Sequence, residues 1–172
     1  FGLGCNIKYP CNLLKAPYSL IASGITLLPQ KVEMPFSLIN KPSVNNSGVS
    51  PAYNEILPGW ALYNNYYMII RNENKFRQRN KSKRNLFETD VIRQDIEVKD
   101  LYTDSDISGI GKNMMTERSR QHGITIYSYF IRLFYLRKLK ALLHTVYEEA
   151  TTYSIMDLLR TQEWKSMKEV LS

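Results

Sequence analysis

A basic segment in the middle of the chain is the strongest candidate for chemistry. Six basic residues fall within ten positions, residues 75–84, and no acidic residue interrupts them. Such a segment can neutralise the phosphates of a nucleic acid, and binding of that kind weakens steeply with salt. It can also pair with an anionic lipid surface, or grip the phosphate groups of a sugar nucleotide or an acyl carrier. The anion-binding candidates are Lys75, Arg77, Arg79, Lys81, Lys83 and Arg84.

A purely structural role for the basic segment is the alternative to these binding functions. Runs of charge are usually solvated helix faces or loops, with acids from elsewhere in the fold nearby. Seven acidic residues come after it within residues 88–106, and their spacing singles out no catalytic pair. We expect this acidic stretch to fold back onto the basic segment. Among the anionic partners, nucleic acid is less favoured than a sugar nucleotide or a carrier.

The two histidines are the next candidates, because a neutral imidazole near pH 7 can accept a proton. His122 precedes Gly123, which is typical of the end of a helix, and His144 closes a long amphipathic run. We interpret both as structural residues. Cys5 and Cys11 match no zinc spacing, and two cysteines are too few for a disulfide framework. We therefore predict no metal site and no cofactor, assign no catalytic residue, and favour a reducing, cytoplasmic setting.

The length and composition of the chain are compatible with each of these candidate sites and do not decide between them. The 172 residues suffice for one domain or two small units, and the formal charge of +7 favours anionic partners. The most apolar stretch, residues 124–143, is long enough to cross a bilayer but contains four basic residues. Apolar residues recur there at helical steps, so we predict a long amphipathic helix and no transmembrane segment.

Aromatic residues precede the basic segment at helical spacing. Such a stripe is usually part of a core, and we interpret it so, although it could also stack on a base or a sugar. Its members are Tyr63, Tyr66, Tyr67, Ile70 and Phe76.

Two internal repeats indicate the architecture of the first forty residues. At six-residue spacing, CNI (residues 5–7) recurs as CNL (residues 11–13), and at eighteen-residue spacing PYSLI (residues 17–21) recurs as PFSLI (residues 35–39). Eighteen is three sixes, the period at which the coils of a left-handed parallel β-helix stack. The predicted class is α+β: terminal coils of such a β-helix in residues 1–42, a linker or surface excursion in residues 43–57, and a mainly α-helical region in residues 58–172.

Two stretches with these repeats resemble a known superfamily. Residues 21–29 (IASGITLLP) and 35–42 (PFSLINKP) look like the closing coils of hexapeptide-repeat acyltransferases and nucleotidyltransferases. Residues 57–84, with PGWALYNN and RNENKF, are similar to the segment after the β-helix in a bacterial family of unassigned function. The resemblance implies the C-terminal part of a larger protein that forms a homo-oligomer.

The resemblance does not carry a catalytic residue into this chain. Acyltransferases of the superfamily generally use a coil histidine as base, and residues 1–42 contain none. If the whole protein is an enzyme, the resemblance implies an acyltransferase or nucleotidyltransferase, acting on sugar nucleotides or acyl groups, with its active site largely outside this chain. The alternative is a β-helix scaffold whose basic helical region binds an anionic protein, nucleic acid or lipid surface.

Overall fold

A computed structural model describes residues 6–7, 10–42, 50, 52–85, 91–92, 112–148, 164–165 and 168–169. The chain divides into two compact units. Unit 1 comprises Phe1–Val91 with Asp95–Tyr127, and unit 2 comprises Ile92–Gln94 with Ser128–Ser172. Each unit is described by itself.

The β-structure of unit 1 consists of short strands. Strands β1 (Asn6–Ile7) and β4 (Thr26–Leu27) pair in parallel, as do β2 (Cys11–Asn12) and β5 (Gln30–Lys31). A third, mixed sheet has the order β3-β6-β7-β8, in which β6–β7 is the antiparallel pair. Its strands are β3 (Leu20–Ile21), β6 (Leu38–Asn40), β7 (Asn54–Leu57) and β8 (Asn113–Met114).

The eighteen-residue repeat corresponds to one pair of equivalent turns and strands. Leu20 pairs with Leu38 across β3 and β6, and the Tyr18 and Phe36 rings stack with their centroids 5.2 Å apart. Both aromatic residues have a left-handed backbone, with φ of 58° and 54°. The Ser37 amide donates to the Ser19 hydroxyl over 3.1 Å, which fixes the register of the two turns.

The predicted fold, terminal coils of a left-handed parallel β-helix followed by a mainly α-helical region, is wrong. Among the described parallel pairs of residues 6–40, β3–β6 has a separation of eighteen positions, whereas β1–β4 and β2–β5 pair at separations of twenty and nineteen. Within the described ranges the strands form small parallel or mixed sheets, and no closed or solenoid sheet. Exposed Lys15 stands where the repeat requires an aliphatic residue, and its ammonium lies 3.4 Å from the Glu33 carboxylate on the surface.

The core of unit 1 joins these small sheets through apolar side chains. Leu27 on β4, Ile39 on β6 and Ile56 on β7 are fully buried. The strand neighbours of Leu27 and Ile39 are more exposed, as expected for alternating sides of a strand, whereas β7 is also buried at Asn54 and Glu55. Burial of each such side chain stabilises the fold by roughly 1.5–3 kcal/mol. The buried cluster consists of Ala16, Ile21, Ile25, Leu27, Val32, Met34, Ile39 and Ile56.

Buried amides form a polar network inside the same unit. Asn54 on β7 donates from Nδ2 to the Thr26 carbonyl over 3.0 Å and to Asn113 Oδ1 over 3.2 Å. Asn113 Nδ2 in turn donates to Gln30 Oε1. The network therefore ties β4, β5, β7 and β8 together, and each buried amide finds a partner.

Three helices complete the described structure. Helix α1 (Trp60–Asn64) comes after Gly59, which has φ of 66° and lies against the side chains of Ile126 and Tyr127. Helix α2 (Tyr66–Arg79) comes next, and helix α3 (Glu117–Glu148) begins in unit 1 and continues in unit 2. The prediction of a long helix over residues 124–143 is confirmed. Of the described helices, none combines the length and the apolar character that crossing a membrane requires.

The start of α3 is fixed by local hydrogen bonds and by packing in unit 1. The Thr116 hydroxyl accepts from the Ser119 backbone amide over 3.1 Å, which satisfies one of the free amides at a helix start. Tyr127, the residue after Ile126, is buried, and its hydroxyl donates a hydrogen bond to the Pro35 carbonyl. His122 and Gly123 therefore lie inside the helix, and the interpretation of His122 as a helix end is wrong.

Unit 2 contains the remainder of α3 among its described residues. Aromatic side chains meet edge to face there, with the rings of Phe134 and Tyr135 5.4 Å apart, and the Lys138 ammonium lies 5.2 Å from the centre of the Phe134 ring. Leu136 and Leu143 are exposed.

Candidate functional site

The basic segment forms the end of α2 and the turn after it. Lys75, Arg77 and Arg79 belong to the helix, and the other three basic residues belong to residues 80–85. All six side chains are exposed except that of Lys75, which is half-buried. Cations in the last helical turn are favourable because the free carbonyls there carry a partial negative charge.

Local hydrogen bonds shape the turn after α2. The Asn80 amide donates to the Phe76 carbonyl over 2.8 Å, which ends the helix. The Asn80 side-chain oxygen then accepts from the Ser82 amide over 3.0 Å, an arrangement typical of asparagine turns. Asn80 and Ser82, which make these contacts, lie next to the basic residues in the chain. The side chains of Lys81, Lys83 and Arg84 take no part in them and are exposed.

Acidic residues do little to neutralise the basic segment in the part of the chain that the structure describes. Arg77 pairs with Glu73 one helical turn earlier, over 2.6 Å. No other ion pair of the segment falls within the described residues. The acidic stretch of residues 88–106, which we expect to fold back onto the segment, lies outside the described residues apart from Val91 and Ile92.

The aromatic stripe beside the basic segment is largely on the surface. Tyr67 is 73% exposed, and Tyr63, Ile70 and Phe76 are each at least 40% exposed. The core interpretation of the stripe is therefore wrong for these residues. Ile69 is the one residue of α2 that is buried.

One face of α2 combines an aromatic ring with basic and amide groups. Tyr67, Arg71, Asn74 and Gln78 succeed one another at helical steps, and all four are exposed. With a rise of about 1.5 Å per residue, this face extends roughly 16 Å from Tyr67 to Gln78. It offers a linear surface rather than a pocket.

A cleft of about 680 Å³ in unit 1 was missed by the sequence reasoning. It lies where β7 and β8 meet the first turns of α3, and Glu55, Tyr63, Ser119 and His122 contribute to its lining. The strand pair places Glu55 opposite Met114, which brings the acid next to Thr116 and Ser119. A sequence signal exists for one side of the cleft, since Thr-x-x-Ser is typical of a helix start. The other side depends on the pairing of β7 with β8, and no sequence repeat indicates that pairing.

The side chains of the cleft hold one another in place. The Thr116 hydroxyl donates to the Ser119 hydroxyl over 2.8 Å, and Ser119 donates to the buried Glu55 carboxylate over 3.5 Å. The Tyr63 and His122 rings meet edge to face with centroids 4.6 Å apart. Desolvation raises the pKa of the Tyr63 phenol, against a smaller lowering by a hydrogen bond with Asn64.

A second cleft of about 350 Å³ lies beside the turn that contains Gly24, and Thr26, Lys41 and Asn54 contribute to its lining. No basic-segment residue lines either of these two clefts. Among the described residues, no three His, Cys, Asp or Glu side chains are placed to hold a metal ion together.

Comparison of the chain with protein-family models, with curated proteins and with solved structures finds no match. The resemblance to hexapeptide-repeat transferases, and the activity and oligomeric state that it implies, therefore stay predictions from the sequence.

Proposed function

We propose that this chain is a non-catalytic binding region whose basic segment holds a linear anionic polymer. The observation that carries the proposal is the exposure of the cations on the end of α2 and the turn after it, with one ion pair among the described residues. Exposed cations that are not already paired attract anions without first breaking an internal contact.

A linear partner fits this surface better than a single phosphate group. The cations lie along the end of a helix and an open turn, and neither of the two clefts contains one of them. A small phosphate ligand is normally gripped in a concave site, whereas a polymer can contact charges spread along a convex one. Exposed Tyr67 and Arg71 lie on the same helix, in the turns before the cations.

Three probes distinguish the kinds of partner: a fluorescent oligothymidylate, polyglutamate, and vesicles containing phosphatidylserine. We expect the full chain to bind at least one of the two polymers with an affinity that falls steeply with salt. Replacing Lys81, Lys83 and Arg84 with Ala removes three cations, which should lower the slope of log affinity against log salt by about 2 for a single-stranded nucleic acid.

A matched control removes the same charge elsewhere. Lys41, Lys112 and Arg132 are exposed and lie outside the basic segment, so their triple Ala variant should bind nearly as the parent chain does. The proposal is overturned if both triple variants lose affinity equally, if neither polymer binds, or if only the vesicles bind.

A cytoplasmic setting belongs to the same proposal. Its support is the low number of cysteines and the free thiol of Cys11, whose sulfur lies 3.9 Å from the Gln30 side-chain nitrogen.

A further inference from the structure

We propose that the cleft between Glu55 and the first turns of α3 binds an uncharged, polyhydroxylated ligand, that is, a saccharide. Its volume of about 680 Å³ falls in the usual range of small-molecule sites, about 300–1,000 Å³. The inference is independent of the basic segment, none of whose residues lines the cleft.

The hydrogen-bonding groups of the cleft are varied and closely spaced. Glu55, which is 5% exposed, presents a carboxylate that only accepts hydrogen bonds. Ser119, Thr116 and Thr125 add hydroxyls, and Gln121 adds an amide, so the lining contains both donors and acceptors. A sugar ring matches such a lining because each of its hydroxyls both donates and accepts.

The charged groups in the lining favour an uncharged ligand over an ion. Glu55 and Arg118 contribute one carboxylate and one guanidinium to the lining. A free anion would meet the buried carboxylate, and a free cation would meet the guanidinium, so neither sign is favoured as a whole. An uncharged ligand avoids both repulsions and still receives strong hydrogen bonds from the charged groups.

The contact between Ser119 and Glu55 is weak enough to be exchanged. At 3.5 Å, the distance between the two oxygens is well beyond that of a normal hydroxyl-to-carboxylate hydrogen bond. A ligand hydroxyl at normal distance from Glu55 Oε1 would therefore form a better bond than Ser119 does. Thr116 keeps its own 2.8 Å hydrogen bond to Ser119, so that the helix start need not change.

An aromatic pair supplies the apolar side of the site. Tyr63 is 44% exposed, and its ring is held by the edge-to-face contact with His122 at 4.6 Å. Leu57 and Met114 also line the cleft. Sugars present C–H groups on their ring faces, and an aromatic ring with a polar tip can contact both these and the hydroxyls.

The test uses the full chain and saturation-transfer NMR, with glucose, galactose, mannose, maltose and cellobiose as probes. We expect saturable binding of at least one sugar. Glu55→Gln keeps the shape but removes the charge, and should weaken that binding at least about tenfold, as expected for a hydrogen bond to a charged group. Tyr63→Ala should weaken sugar binding as well. This second variant provides the test if Glu55→Gln fails to fold.

Tyr129→Ala is the control, because Tyr129 is an exposed tyrosine on α3 that does not line the cleft. It should leave sugar binding unchanged. The inference is overturned if no sugar binds, if Tyr129→Ala weakens binding as much as Tyr63→Ala, or if inorganic phosphate or spermidine displaces the sugar from the cleft.

Discussion

Asn54 and Asn113 lie side by side in the interior of unit 1 although 59 positions separate them in the chain. Asn54 donates to Asn113 over 3.2 Å and also to the Thr26 carbonyl, so that one side chain links β7 to both β8 and β4. The two amides thus add a side-chain link to the backbone pairing of β7 with β8, which is only two residues long.

Removing one of these amides should leave a buried partner unsatisfied. We expect Asn113→Ala to lower the free energy of unfolding by about 1–3 kcal/mol, because Asn54 and Gln30 each lose a hydrogen bond without gaining water. Urea denaturation measures the change. Asn74→Ala on the exposed face of α2 is the control, and equal midpoints for the two variants would contradict a stabilising role for the network.

The two described glycines with positive φ allow the stability cost of backbone strain to be measured separately from the cost of a side-chain clash. Gly24 has φ of 79° with open space around it, whereas a Cβ at Gly59 would lie 3.1 Å from Ile126 Cγ2. Gly24→Ala should cost about 1–2 kcal/mol through the backbone alone. Gly59→Ala should cost more, since the Ile126 side chain must also give way by a few tenths of an ångström. A smaller loss at Gly59 than at Gly24 in thermal unfolding would refute that contact.

Glu117 predicts a dependence of stability on pH. Hydrogen bonds from Arg120, and then from Gln121, lower the pKa of Glu117 from 4.5 to about 2. A depressed pKa stabilises the folded chain fully above the unfolded value, and this contribution is lost as pH falls from about 4.5 through about 2. Compared with Glu117→Gln, the parent chain should be more stable at pH 6, and the difference should vanish near pH 2.

That difference should also shrink as salt increases, because the ion pair of Glu117 with Arg120 lies on the surface. Urea titrations of both chains at pH 6, 4 and 2 provide the measurement. A stability difference that stays constant from pH 6 to pH 2 would show that the carboxylate is not the cause.

Tyr67 distinguishes a nucleic acid from other anionic polymers on the basic segment. Its 73% exposed ring can stack on a base, which is worth about 1–3 kcal/mol, but offers no such contact to polyglutamate. Tyr67→Ala should therefore weaken binding of oligothymidylate at least about fivefold and leave binding of polyglutamate unchanged. Tyr67→Phe should retain the affinity. A uniform loss for both polymers would argue against stacking.

Features that depend on neighbours in the chain were predictable from the sequence alone. The long helix results from apolar residues at helical steps, and α3 contains the whole of residues 124–143. The eighteen-residue repeat identified two equivalent turns, and Leu20 and Leu38 are indeed paired. The exposure of the basic segment results from six cations without an intervening acid, since burying so many charges would be very costly.

Features that depend on distant residues were decided only by the tertiary structure. The repeat could not show that β1–β4 and β2–β5 pair at other separations, because one or two extra residues in a turn change the offset without disturbing the local pattern. Nor could it place β8 beside β7, which assembles the cleft around Glu55. Helical spacing predicted burial of Tyr67, but a helix face is buried only where another element covers it, and none of the described residues does so there. The sequence by itself therefore determined the helix, the charge and the local turns, while long-range strand pairing determined the core register and the cleft.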